Sequence, residues 1–123
     1  MVPAEVVALR QPVVLIVEDE VLIRLSVSDF LRNEGFTVIE AGSAREALTV
    51  LQARSDVSVV VTDIHMSGAL EGLDLIREIR RSYPAVKIIT ASAYQISEPV
   101  EATIIKPYSL DRLLSVIKSL LDL

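Results

Sequence analysis

Three carboxylates and one ammonium in this chain stand where an apolar run stops. Glu18 and Asp19 follow Val13–Val17, Asp63 follows Val57–Thr62, and Lys106 follows Ala102–Ile105. Thr90 and Ser92 add hydroxyls at the end of a further run, Val86–Ala91. Gathered in one crevice, such a set has a definite chemistry. Crowded carboxylates repel, and a hard divalent cation relieves the repulsion most directly. Mg²⁺ takes oxygen ligands, keeps several waters and is usually held by one or two carboxylates plus phosphate oxygens. A lysine opposite the ion is a point charge suited to phosphate. A carboxylate is also a nucleophile in phosphoryl transfer, giving an aspartyl phosphate. The set reads as Mg²⁺-assisted phosphorylation of one Asp.

Each member also has a plainer account. An acid after a strand is often a turn residue or helix cap. Glu18-Asp19-Glu20 would serve as a solvated acidic turn at the positive end of a helix dipole, Lys106-Pro107 as an ordinary strand exit, and Thr90 and Ser92 as hydroxyls satisfied by backbone. What favours the chemical reading is that all of them fall at the same end of one predicted sheet.

That sheet follows from the apolar pattern. Val13–Val17, Thr37–Ala41 (after Gly35), Val57–Thr62, Val86–Ala91 and Ala102–Ile105 are short runs without alternation, which suits parallel strands buried on both faces. Helical periods lie between them. Ile23, Val27, Phe30 and Leu31 form one stripe. Ala44, Ala47, Leu48 and Leu51 form another, behind the capping-box pair Ser43 and Glu46. Leu75, Ile76, Ile79 and Tyr83 are closed by Pro84, and Leu110, Leu113, Leu114, Ile117, Leu120 and Leu121 make the last and strongest stripe. The stretch from Ser92 to Glu101 is short and interrupted by Pro99, and no helix is assigned to it. The expected architecture is α/β: one open parallel sheet with helices on both faces, whose ligands gather at the carboxyl ends of the strands. Residues 1–12, with Pro3 and Pro12, read as an N-terminal arm, and residues 13–122 as a single domain.

Composition narrows the class. The 123 residues suffice for one domain. At 51% hydrophobic but 4% aromatic, the core must be aliphatic. With no cysteine there is no disulfide scaffold, thiolate metal site or Cys nucleophile. Twelve basic against seventeen acidic residues give a net charge of −5, which argues against nucleic-acid binding by this chain. No apolar run approaches the ~20 residues that span a bilayer, and the first residues lack the pattern of a signal peptide. The expectation is a cytoplasmic domain without membrane contact.

In this order, the residues resemble the receiver domain of two-component response regulators. LIVEDE at 15–20 resembles the family's acidic turn, VVVTDIHMSG at 59–68 its phosphoacceptor strand and loop, and IIKPY at 104–108 its Lys-Pro turn, whose peptide bond is typically cis. The resemblance spans roughly residues 13–122. It implies a flavodoxin-like, doubly wound five-stranded sheet of order 2-1-3-4-5. It also implies that Asp63 is the phosphoacceptor, that Mg²⁺ is held by Asp63, Asp19, Glu18 (mainly through water) and the His65 backbone carbonyl, and that Lys106 pairs with Asp63 and then with the phosphoryl group. A hydroxyl ending the fourth strand would bond the phosphoryl oxygen. Both Thr90-Ala91 and Ser92-Ala93 fit. Gly72 lies nine positions after Asp63, one residue more than usual, so Ser92, 29 residues after Asp63, is preferred with Thr90 as the alternative. Tyr94 would then stand where side chains gate the attacking water.

Three departures from the family stand out. Ser67 replaces the usual Pro. Only 14 residues separate Ser92 from Lys106, so the family's fourth helix is short or absent. Thr103 replaces the aromatic that usually precedes the lysine by three, which removes the coupling of the hydroxyl to an aromatic rotation.

The leading functional expectation is a phosphoacceptor in a phosphorelay, not an enzyme. Its partners would be a histidine kinase or phosphotransfer protein and an unidentified downstream protein. The alternative is a receiver-like interaction module that does not switch. A phosphohydrolase is a third class, disfavoured because the second Asp such enzymes carry two residues on is His65 here and no cap domain is present. A shortened fourth helix would also leave apolar surface near the last two strands for a homodimer or partner. Because the chain ends at Leu123, directly after the last stripe, a single-domain regulator, a relay intermediate or a piece of a longer protein are all expected forms, with no DNA-binding domain in this chain.

Overall fold

A computed structural model of the chain describes residues 11–66 and 72–123. Ser67 and all but Gln11 and Pro12 of the expected arm lie outside the described residues. The elements are β1 (Val13–Val17), α1 (Val21–Asn33), β2 (Thr37–Ala41), α2 (Ala44–Ala53), β3 (Val57–Asp63), α3 (Gly72–Ser82), β4 (Lys87–Ser92), β5 (Ala102–Ile105) and α4 (Leu110–Leu120). All strand pairs are parallel, in the order β2-β1-β3-β4-β5. This is the flavodoxin-like sheet that the resemblance implied.

Side chains alternate across a strand, so the two faces carry separate cores. Val13, Leu15 and Val17 of β1, with Val60 and Ile88, pack against Ala47 and Leu51 of α2 and Leu75, Ile76 and Ile79 of α3. Val14 and Ile16, with Val59, Val61, Ile89 and Ile104, pack against Val27 and Leu31 of α1 and Leu113 and Ile117 of α4. The register of β3 slips at its start, Val13 pairing with Val57 but Val14 with Val59. That slip is why Val57 and Val60, three apart, share a face. Each fully buried Leu, Ile or Val contributes about 1.5–3 kcal/mol.

Local signals set the element ends. Ser43 Oγ accepts the Glu46 N–H as the capping pair required, while the Glu46 carboxylate reaches one residue beyond the cap and accepts the N–H of Gly42 instead of that of Ser43. Helix α1 ends in a Schellman motif. There the Gly35 N–H bonds the Arg32 carbonyl and the Phe36 N–H bonds that of Leu31, with Gly35 at φ +98°. Gly35 is the residue that takes this left-handed conformation without strain.

Two expectations change. Ile23 was placed in the core stripe of α1, yet it is 41% exposed, and Leu22 beside it is 81% exposed. The first turn of α1 overhangs the carboxyl edge of the sheet, so only the later turns, from Val27, reach the core. Asp63 is itself the last residue of β3, and β4 extends to Ser92.

Between β4 and β5, residues 93–101 form no helix, in agreement with the short spacing. Side-chain anchors hold this connector instead. Arg77 pairs with Glu98 at 2.7 Å, and Arg80 donates to the Pro99 carbonyl and to both oxygens of Glu101. Glu101 also accepts the Ile88 N–H, while Ile96 and Val100 pack onto the α2/α3 core. Burial would raise the Glu101 carboxyl, but Arg80 and the Ile88 N–H outweigh it and hold it below the usual range.

Candidate functional site

Asp63 continues the row Val59, Val61 on the α1/α4 side of the sheet. Glu18 continues Val14, Ile16 and Lys106 follows Ile104, so strand periodicity aims all three to one side. Glu18, Asp19 and Asp63 each offer a carboxylate oxygen within 4.8 Å of the other two. Lys106 Nζ donates to Asp63 Oδ2 at 2.7 Å, and the His65 backbone N–H donates to Oδ1 at 2.9 Å. The strand framework locks this geometry: Ile64 N–H bonds the Ala91 carbonyl, and Lys106 N–H bonds the Ser92 carbonyl. The Lys106–Pro107 peptide bond is cis. The structure thus brings together Glu18, Asp19, Asp63 and Lys106, as the sequence reading required.

The two candidate hydroxyls differ. Both residues are fully buried, but Thr90 lies inside β4 with its Oγ1 2.9 Å from Thr103 Oγ1 on the neighbouring strand. Ser92, the last residue of β4, accepts the Tyr94 N–H at 3.3 Å. Thr103 therefore replaces the usual aromatic with a hydroxyl pair inside the sheet. Tyr94 reaches over the site's rim, where its ring meets that of His65 edge-on at 5.5 Å.

Sequence reasoning missed two residues. Tyr108 is half-buried beside the site, where burial raises its hydroxyl; it forms a recess with Glu18, Asp63 and Val61. Arg24 donates from Nη1 to the Glu18 carbonyl at 2.9 Å and from Nε to Glu40 at 3.3 Å. Beside the site, Leu22, Ile23, Val27, Pro107 and Leu110 line an open apolar groove of about 640 Å³ headed by Glu18 and Lys106.

Burial, reinforced by the charge of Asp63, pushes the Glu18 carboxyl up to about 7, against the pull of the Glu20 N–H. For Lys106, burial acts downward, but the hydrogen bond and charge of Asp63 win and hold it above its ordinary value. The donor set fits Mg²⁺. All donors are hard oxygens, and octahedral ligands at ~2.1 Å stand about 3 Å apart when adjacent and ~4.2 Å when opposite, separations that fall inside the 4.8 Å within which these oxygens lie.

A pH dependence follows. Glu18 titrates near 7 when folded and near 4.5 when unfolded, so the folded state binds the extra proton between these values. Its contribution to stability is fully present below pH 4.5 and is lost as pH rises through 7. Metal-free protein is expected to lose on the order of 1–3 kcal/mol from this group between pH 5 and 8. Mg²⁺, which favours the carboxylate, should stabilise more at pH 8 than at pH 6. Urea melts at the two pH values, with EDTA and with Mg²⁺, check this; equal stabilisation at both would show that Glu18 is not coupled to the ion.

The family profile described as the response regulator receiver domain matches residues 14–118. Among curated relatives, the sensor kinase CckA of Brucella abortus is 35% identical over 118 residues, covering 89% of this chain and 12% of that protein. The response regulator FleR of Pseudomonas aeruginosa is 34% identical over 112 residues, covering 85% of this chain and 23% of FleR. The transcriptional regulatory protein PdtaR of Mycobacterium tuberculosis is 32% identical over 113 residues, covering 85% and 54%. The chain spans about half or less of the length of these relatives. Among solved structures, a CheY-like receiver domain protein from Methanospirillum hungatei is 28% identical with a TM-score of 0.85, covering 92% of this chain and 95% of that one. TrrA of Thermotoga maritima, in complex with Mg²⁺ and BeF, is 29% identical with a TM-score of 0.81, covering 89% and 99%. Among the described residues no helix is long and apolar enough to cross a membrane. With its sheet order, its acidic cluster and a profile match over most of its length, the chain belongs to the response regulator receiver domain family.

Proposed function

We propose that Asp63 accepts a phosphoryl group, in a Mg²⁺-dependent step, from a phosphohistidine of a histidine kinase or phosphotransfer protein in the cytoplasm, and that a downstream protein reads the change. The observation that carries this reading is the 2.7 Å Lys106–Asp63 pair inside a cluster of three carboxylates. A carboxylate oxygen of Asp63 forms the new O–P bond as the N–P bond of phosphohistidine breaks, and the imidazole leaves with the electron pair. Mg²⁺, held by Asp19, Asp63, the His65 carbonyl and, through water, Glu18, would offset the charge on the phosphoryl oxygens. Lys106 moves its hydrogen bond from Asp63 to a phosphoryl oxygen, keeping its charge beside the developing negative charge. Ser92 donates its hydroxyl to the same group and draws the loop after β4 inward. The groove headed by Glu18 and Lys106 offers a donor protein an apolar surface beside the reacting atom.

Intact mass after incubation with acetyl phosphate and Mg²⁺ tests the reading: one added phosphoryl group is expected. No gain, with the protein folded and Mg²⁺ bound, would instead favour a docking module that does not switch, the reading that the helix-free connector at 93–101 supports. Ser92 is favoured as the switch because it ends β4 and its hydroxyl accepts from the Tyr94 N–H, which leaves its own proton to donate, whereas the Thr90 hydroxyl is paired with that of Thr103 inside the sheet. Ser92→Ala should accept phosphate yet lose the phosphorylation-dependent shifts of amide resonances at Ala93–Ser97, while Thr90→Ala keeps them. The opposite pattern would exchange the two assignments.

A further inference from the structure

The acidic turn after β1 has to hold Glu18 beside Asp19 and Asp63 against mutual repulsion and against the cost of burying charge. Its backbone is tied to β2 from both sides. The Glu18 N–H bonds the Ala41 carbonyl at 3.0 Å, and the Glu18 carbonyl accepts from Arg24 Nη1 at 2.9 Å. Arg24 is aimed in turn. Its Nε bonds Glu40 Oε1, and Arg32 holds the other oxygen of Glu40 at 3.1 Å. The side chains of Arg24 and Glu40 are only 19% and 21% exposed. The absence of a side chain at Gly42 leaves room for the guanidinium, since a Cβ there would stand 3.1 Å from Arg24 Nη1. An isolated ion pair near the surface adds little stability. A guanidinium whose fork joins a neighbouring strand to the carbonyl of the buried carboxylate's own residue sets that residue's position.

We propose that Arg24, aimed by Glu40, is a positioning residue for the metal-binding turn: it fixes Glu18, and through it Asp19, in the arrangement that accepts Mg²⁺. This rests on the reading of Glu18, Asp19 and Asp63 as the ion's ligands. Outer partners that orient metal ligands typically change affinity by about 10–100-fold when removed. The sign is diagnostic. Deleting a cation beside a cation site should tighten Mg²⁺ binding by charge alone, whereas loss of positioning weakens it.

The test is Mg²⁺ titration by calorimetry of the wild type, Arg24→Gln and Glu40→Gln, with urea melts of each in EDTA. Arg24→Gln is expected to raise the Mg²⁺ dissociation constant about 10-fold. Glu40→Gln should have a smaller effect in the same direction. Labelling by acetyl phosphate should slow at low Mg²⁺ and recover towards the wild-type rate at saturating Mg²⁺, a split that a general loss of structure would not produce. Unchanged or tighter Mg²⁺ binding in folded Arg24→Gln overturns the proposal. Should that variant not fold, unchanged affinity in Glu40→Gln overturns it instead. A wild-type protein that binds no Mg²⁺ would overturn the function reading itself, and this assignment with it.

Discussion

Asp63→Asn is expected to gain no phosphoryl group from acetyl phosphate and Mg²⁺ under conditions where the wild type gains one. The side chain keeps its size, its place at the end of β3 and an oxygen for the His65 N–H. What it loses is the charged oxygen that the proposed transfer needs for its O–P bond, and a neutral amide has no comparable nucleophilicity. The effect is all or none in intact mass, where stability effects are not. The fold should tolerate the change, because two electrostatic consequences oppose each other. Lys106 loses its partner at 2.7 Å, which is unfavourable, but Glu18 loses a neighbouring charge that had pushed its carboxyl upward. The Glu18 carboxyl should therefore fall below its wild-type value of about 7 while staying above 4.5, since burial is the larger cause of its rise. Phosphorylation that persists in Asp63→Asn would place the acceptor elsewhere and remove the assignment.

Gly72→Ala should lower stability by about 2–3 kcal/mol, through overpacking against backbone. Gly72 begins α3 and is buried against Ile64, the residue that follows Asp63. A Cβ there would lie 2.6 Å from the Ile64 carbonyl oxygen, 2.8 Å from its Cα and 3.0 Å from its carbonyl carbon. No rotamer relieves that contact, because every atom in it is main chain. Either α3 moves off the sheet, losing part of the packing of Leu75, Ile76 and Ile79, or Ile64 moves and disturbs its bond to Ala91. The second route also displaces Asp63 and the His65 N–H, so phosphorylation should slow together with the loss of stability. Urea melts with the labelling assay measure both; wild-type stability in Gly72→Ala would show that the start of α3 is not pressed on this loop.

The architecture was legible in the chain because its signals are local. Runs such as Val13–Val17 and Val57–Thr62 lack alternation, which only strands buried on both faces tolerate, and the helical stripes between them leave little choice but a parallel sheet. Ser43 with Glu46 marked the start of α2 for the same reason: the cap joins residues three apart. The acidic cluster was readable too, since a parallel sheet brings the ends of its strands to one edge whatever lies between. Given that edge, Glu18, Asp63 and Lys106 had to approach each other. The short interval from Ser92 to Lys106 likewise told that a full helix would not fit.

What needed the tertiary structure was every contact whose partners are remote in sequence and whose geometry depends on register and helix placement. The pairing of β4 with β5 sets Thr90 against Thr103, and this separates the two candidate hydroxyls. The overhang of α1 leaves Ile23 in a groove although its spacing fits the buried stripe. Arg24 meets Glu40, sixteen residues away, only because α1 packs beside β2. Arg77 and Arg80 reach Glu98 and Glu101 because α3 lies alongside the connector that has no helix. Periodicity tells which face a residue joins; distances between side chains on separate elements follow only once those elements are packed.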